Sequence, residues 1–194
     1  MPSLVLASGS PRRRQFLTDL GFSFQVLPSN ADETQQVYEP AAAYVKRLAQ
    51  AKAAAVAQQT PDAVVLAADT IVVRDGEVLG KPIDEADFRR MMRLLSDRTH
   101  DVITAVAVRQ PGGGHAEVAV DTRVTFRPLS DEEISWYWST GEPHDKAGGY
   151  AIQGRAGAFI TRIEGSHSNV IGLPLVETLA LLQRAGIQPP WSTR

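Results

Sequence analysis

Cysteine is missing from all 194 residues, which excludes disulfides and thiolate metal sites and fits a reducing compartment. Long apolar runs are missing too, and no basic leader with an apolar core opens the chain, so a soluble, cytoplasmic protein without a membrane partner is expected. Charge of one sign is scarce: 20 Lys+Arg against 22 Asp+Glu leave a net charge of −2, which argues against a general nucleic-acid binder. Any basic site must therefore be local. The 4 histidines do not cluster, so no zinc site is expected. Neither G-x-x-x-x-G-K-[ST] nor G-x-G-x-x-G occurs, and the common nucleotide folds are not indicated. With no repeat or linker, 1–194 reads as one domain, residues 188–194, with Pro189 and Pro190, as a loose tail.

Against these absences stands 4–20, LVLASGSPRRRQFLTDL, a short apolar strand running through a Ser-Gly-Ser turn into a helix. Ser10 suits the N-cap, Pro11 the first helical position and Gly21 the end. The junction joins backbone N–H groups, the positive end of a helix dipole and Arg12, Arg13 and Arg14, which makes a site for an anion, most simply phosphate. Without a ligand the same residues are a cap and a solvated first turn, but cations there oppose the dipole.

Further on, residues 22–27 suit a second strand and 29–36 a polar loop with Asp32 and Glu33. Residues 41–58 form an amphipathic helix with Tyr44, Val45, Leu48, Ala55 and Val56 on one arc. Lys52 projects from that arc, either snorkelling to water or pointing into an anion-binding cleft. The run 63–73, AVVLAADTIVV, is a buried strand interrupted by Asp69, which must meet a cation, a metal or hydrogen-bond donors. Asp75-Gly76 predicts a hairpin pairing Val73 with Val78 and Val72 with Leu79, which carries Lys81 toward the Asp69-Thr70 corner. Phe88, Met91, Met92 and Leu95 mark a core-facing helix, and 101–108 and 116–126 a long strand pair, with His100 structural rather than a base. Ser130 and Glu133 form a capping box. The glycine-rich loop 142–157 carries Gln153, whose amide can read a base edge; 165–169 is a polar turn and 173–185 a last helix. Interleaved strands and helices with hairpins give an α/β fold on a mixed sheet. Carboxylates (Glu33, Asp69) among cations (Arg12, Arg13, Lys52, Lys81) suggest metal-assisted chemistry on a phosphorylated small molecule, magnesium being the default ion.

These motifs resemble one family, the Maf-like nucleotide pyrophosphatases: LASGSPRR (6–13), RLAQAKA (47–53), AADT (67–70), LGKP (79–82), DKAGGYAIQG (145–154) and NVIGLPL (169–175). The resemblance implies an elongated mixed sheet flanked by helices with a central cleft, similar to the inosine triphosphate pyrophosphatases. It also implies hydrolysis of a nucleoside triphosphate to monophosphate and pyrophosphate, a magnesium or manganese cofactor, and a homodimer. Position by position, it implies Asp69 as proton acceptor and Arg12, Thr70 and Gln153 as specificity residues. Ser8, Arg12, Arg13, Lys52 and Lys81 would then contact phosphate, and Glu33 with Asp69 the metal. The DKAGGYAIQG segment is similar to the branch acting on dTTP and UTP rather than the sister branch acting on methylated GTP. Ile103, Ala105 and Ala151 depart from the common family pattern. A methylated-GTP enzyme and a non-catalytic regulator of division are the alternatives.

Overall fold

The computed structural model describes residues 2–192. The elements in order are β1 (Leu4–Leu6), α1 (Pro11–Asp19), β2 (Gln25–Val26), α2 (Ala41–Ala57), β3 (Val64–Arg74), β4 (Glu77–Leu79), α3 (Glu85–Leu95), β5 (Thr99–Arg109), β6 (His115–Phe126), α4 (Asp131–Ser139), β7 (Ile160–Glu164), α5 (His167–Ile171) and α6 (Leu175–Arg184). The sheet is seven-stranded, in the order β2-β1-β3-β5-β6-β7, with β4 paired to β3. It is mixed: β1 runs parallel to β2 and β3, whereas β3–β4 and β6–β7 are antiparallel. The second strand is shorter than the sequence suggests, and 165–169 is not a simple polar turn: a bend at Gly165 leads into α5, which begins at His167.

The chain divides into two compact units. The first comprises Met1–Asp69, Thr104–Val120 and Gly172–Arg194; the second comprises Thr70–Ile103 and Asp121–Ile171. Each has its own apolar cluster. In the first, Leu4 and Leu6 of β1 and Val64 and Leu66 of β3 pack with Leu17, Phe22, Leu173 and Leu182. β1 is buried at every residue, as expected of a parallel strand covered on both faces. The tail does not leave this unit at once: Ile187 is 7% exposed, Pro189 is buried, and Pro190–Ser192 forms a short 3-10 turn; 193–194 lie outside the described residues.

The second unit centres on Phe88, Met92, Phe126, Tyr137 and Phe159, with Val72 and Leu79 from the hairpin. Burying each such side chain is worth roughly 1.5–3 kcal/mol. The hairpin has the expected register, Val72 with Leu79 and Val73 with Val78. Its turn puts Asp75 at φ 50 and Gly76 at φ 82, the two left-handed positions of a type I′ turn. Asp84 caps α3, and Ser130 with Glu133 forms the reciprocal box at α4. Among the described residues no helix is long and apolar enough to cross a membrane.

Candidate active site

In the first unit, the turn after β1 delivers a serine and an arginine to one place. Ser10 sits in extended backbone at the N-cap of α1, and its side chain accepts the Arg13 N–H, with Pro11 at the first turn. The Ser8 hydroxyl accepts the Ser10 N–H at 3.2 Å and the Arg13 Nη1–H at 3.2 Å. With both lone pairs engaged, the serine proton is its remaining donor. Arg13 Nε also donates to the Gly172 carbonyl at 2.8 Å, which fixes the guanidinium. Arg13 is only 9% exposed, and burial pulls it down to about 10, opposed by the Asp69 charge and assisted by neighbouring Arg12. It is therefore cationic at neutral pH. The first turn of α1 has no acidic residue to offset these cations, and Arg12 is half-buried.

The other charges come from α2, β3 and the loop between β2 and α2. Lys52, with Val45, Leu48 and Val56, lies on the buried face of α2 and is 9% exposed, so it does not snorkel. Its ammonium donates to Asp69 Oδ1 at 2.6 Å and contacts Glu33 Oε1 at 2.7 Å. Asp69 thus meets the cation that its place in an apolar strand requires. At 8% exposure its carboxyl is pushed above the ordinary aspartate range by burial, which outweighs the downward pull of Lys52 and Arg13. A carboxylate so destabilised is a stronger base than a solvated one.

Glu33 is held by residues to which the sequence assigned no such role. The Tyr44 hydroxyl donates to the Glu33 carbonyl at 2.7 Å. Arg47 grips Glu39 through Nε and Nη2 at 2.6 and 2.7 Å and reaches the Thr34 carbonyl at 3.0 Å. The eight-residue spacing of Glu39 and Arg47 matches no helical pair, so pattern reading could not join them. Asp69 and Glu33 converge on the Lys52 ammonium, so two hard oxygen donors face one small volume. Carboxylate oxygens are the donor type that magnesium and manganese take, and here both carboxylates are engaged by the Lys52 ammonium. Among the described residues there is no group of three or more metal-type ligands.

Thus Ser8, Arg13, Lys52, Asp69 and Glu33 are brought together with Arg12 beside them, while Thr70, Lys81 and Gln153 belong to the second unit. There Thr70 is half-buried and Lys81 and Gln153 are exposed. The turn before Lys81 is tied down, because the Gly80 carbonyl accepts the Gly148 N–H at 2.9 Å. Gly148 and Gly149 both have positive φ, 65 and 69, and a Cβ on either would come within 2.9 Å of Val72 or Phe88. His100 is structural, as expected: 2% exposed, it shares a 2.7 Å hydrogen bond with the Tyr150 hydroxyl, and burial beside Arg74 pulls it down to about 3.

A dTTP/UTP pyrophosphatase of Anaeromyxobacter sp. (strain Fw109-5) is 56% identical over 192 residues, covering 97% of this chain and 92% of that protein. A protein of the same name from Myxococcus xanthus (strain DK1622) is 55% identical over 189 residues, covering 97% of this chain and 95% of its own. The Staphylococcus aureus Ham1 protein structure shares the fold at a TM-score of 0.57 and 12% identity, covering 94% of this chain and 98% of its own. The profile of the Maf-like proteins matches residues 3–185, which takes in both units, and the chain belongs to that family.

Proposed function

We propose that this protein is a cytoplasmic nucleoside triphosphate pyrophosphatase acting on dTTP and UTP, working as a homodimer and releasing monophosphate and pyrophosphate. The observation that carries the reading is the buried Arg13, Lys52 and Asp69 set, in a chain more than half identical to proteins named dTTP/UTP pyrophosphatase.

In this mechanism the Ser8 hydroxyl, the Arg12 and Arg13 guanidinium groups and the Lys52 ammonium bind the triphosphate oxygens. Lys52 spends two protons on Asp69 and Glu33, and its third serves a phosphate oxygen. Asp69, raised by burial and held in one orientation by Lys52, accepts the proton of the water that attacks the α-phosphorus. The fixed cations stabilise charge on the departing pyrophosphate without reorganising. Asp69 and Glu33 would hold a magnesium or manganese ion, which supplies further charge neutralisation at the triphosphate. Of the positions that the family resemblance assigns to specificity, Gln153 reads the base.

The test is a panel of canonical and methylated nucleoside triphosphates with magnesium or manganese, read as pyrophosphate release. Turnover of dTTP and UTP at least about tenfold above GTP and methylated GTP is expected. Preference for methylated GTP, or binding without pyrophosphate release, would replace this reading with the sister activity or a regulatory binder.

A further inference from the structure

Gln153 sits in a turn whose two ends are tied to one carboxylate. Glu142 follows α4 through Gly141, at φ 74, and starts a 3-10 turn. Its Oε1 accepts the Tyr137 hydroxyl at 2.8 Å, and that hydroxyl accepts the Ala151 N–H at 3.2 Å. Its Oε2 accepts the Arg155 backbone N–H at 3.2 Å and faces the Arg155 guanidinium at 3.4 Å. Between those anchors the Gly154 N–H closes the turn onto the Ala151 carbonyl at 3.0 Å. A Cβ at position 154 would overlap the Glu142 carboxyl, so glycine here is a matter of space rather than of φ, which is −103.

The anchor is itself rigid. Tyr137 is fully buried, with Phe159 edge-on at 5.2 Å, and the Glu142 side chain is 15% exposed. Burial pushes Glu142 upward, but hydrogen bonds from Tyr137 and from the Arg155 and Ala156 N–H groups together outweigh it and hold the carboxyl below the usual glutamate range, so it is an anion at every pH near neutral. Gln153, by contrast, is exposed. An exposed amide on a loose loop gives up rotamer and backbone freedom when it grips a ligand, and anchoring the backbone beforehand reduces that cost. The capping box at the start of α4 and the apolar cluster of the second unit do not involve Glu142.

We infer that Glu142, acting through Tyr137 and against Gly154, is a positioning residue that fixes the 151–155 turn and thereby sets the base preference exercised by Gln153. This rests on the assignment of Gln153 as a base reader. Specificity is thus divided between a side chain that meets the base and a carboxylate that never touches it.

The experiment compares kcat and KM for UTP and GTP in the wild type, Glu142→Ala, Gly154→Ala, Tyr137→Phe, Gln153→Ala and the double variant Glu142→Ala/Gln153→Ala, with Tm measured for each. Glu142→Ala and Gly154→Ala should raise KM for UTP about tenfold, leave kcat within about threefold, and narrow the UTP:GTP ratio of kcat/KM, as Gln153→Ala does. The double variant should be no worse than Gln153→Ala alone, because the two act through one contact. Losses that multiply in the double variant, or that fall equally on UTP and GTP, would overturn the positioning role. A narrowed ratio in Gln153→Ala with an unchanged ratio in Glu142→Ala and Gly154→Ala would overturn it while leaving Gln153 as reader. An unchanged ratio in Gln153→Ala would instead overturn the reader itself. If Glu142→Ala does not fold, Tyr137→Phe and Gly154→Ala decide by the same criteria, in double variants with Gln153→Ala.

Discussion

The buried polar side chains of the first unit include Arg13, Lys52 and Asp69, which are all ionisable; those of the second unit are His100, Thr122 and Asn169. In the second unit the groups carry no charge and serve packing. His100 is held neutral against the Tyr150 hydroxyl, and Asn169 Nδ2 donates to the Val102 carbonyl at 2.9 Å and to Thr122 Oγ1 at 3.0 Å. In the first unit the charges are costly. Removing two ions from water costs several kcal/mol each, and their mutual attraction repays that only partly, as the raised Asp69 shows. A fold seeking stability alone would do better with apolar residues there. The neutral set is explained by the fold; the charged set is explained, on the function proposed above, by a ligand of high negative charge.

The largest effect should come from Asp69→Asn, which keeps shape and removes the base. Pyrophosphate release should fall about 10³-fold or more, with Tm changing little. Retained turnover, or a collapsed fold, would place Asp69 among the structural polar groups and erase the contrast.

Next is Lys52→Met. Because Lys52 lowers the Asp69 pKa, its loss should move the acid limb of the kcat/KM profile to higher pH, with about 10–100-fold lower kcat/KM at neutral pH. A limb that stays put would separate Lys52 from the base. Without Lys52 between Asp69 and Glu33, manganese binding in the absence of nucleotide, followed by electron paramagnetic resonance, should tighten.

The second unit should respond in stability rather than catalysis. His100 titrates near 6.5 when unfolded and about 3 when folded, so the unfolded state binds more protons between those values. Stability is then complete above pH 6.5 and falls by about 1.4 kcal/mol per pH unit as pH drops through that window. The pair His100→Phe/Tyr150→Phe should flatten this slope in urea melts at pH 7 and 5, leaving kcat within about twofold. Smallest is Arg90→Ala, which breaks exposed pairs with Glu77 and Asp87 and should cost less than about 1 kcal/mol in a urea titration.

Much of this was legible because local chemistry was unambiguous. Asp75-Gly76 fixed a hairpin register, Ser130 and Glu133 a helix start, and Phe88 to Leu95 a buried face. The charged cluster was legible as residue types: an aspartate in an apolar strand and a lysine on an apolar arc each demand a partner, and they partner one another. What sequence did not disclose depends on distance in the chain. The Arg47 grip on Glu39, the Tyr44 bond to the Glu33 carbonyl and the Glu142 hold on the 151–155 turn join loops through spacings that no periodic element produces. For Lys52, burial rules out the snorkelling reading, and the bridge to Asp69 and Glu33 was not among the readings that the sequence offered.

The most direct measurement is hydrolysis of dTTP in ¹⁸O-enriched water, with the label located by mass spectrometry. Water activated by Asp69 and directed at the α-phosphorus leaves ¹⁸O in the monophosphate and none in the pyrophosphate. Label in pyrophosphate, or orthophosphate as the primary product, would mean that the buried charges do not place water where the mechanism requires.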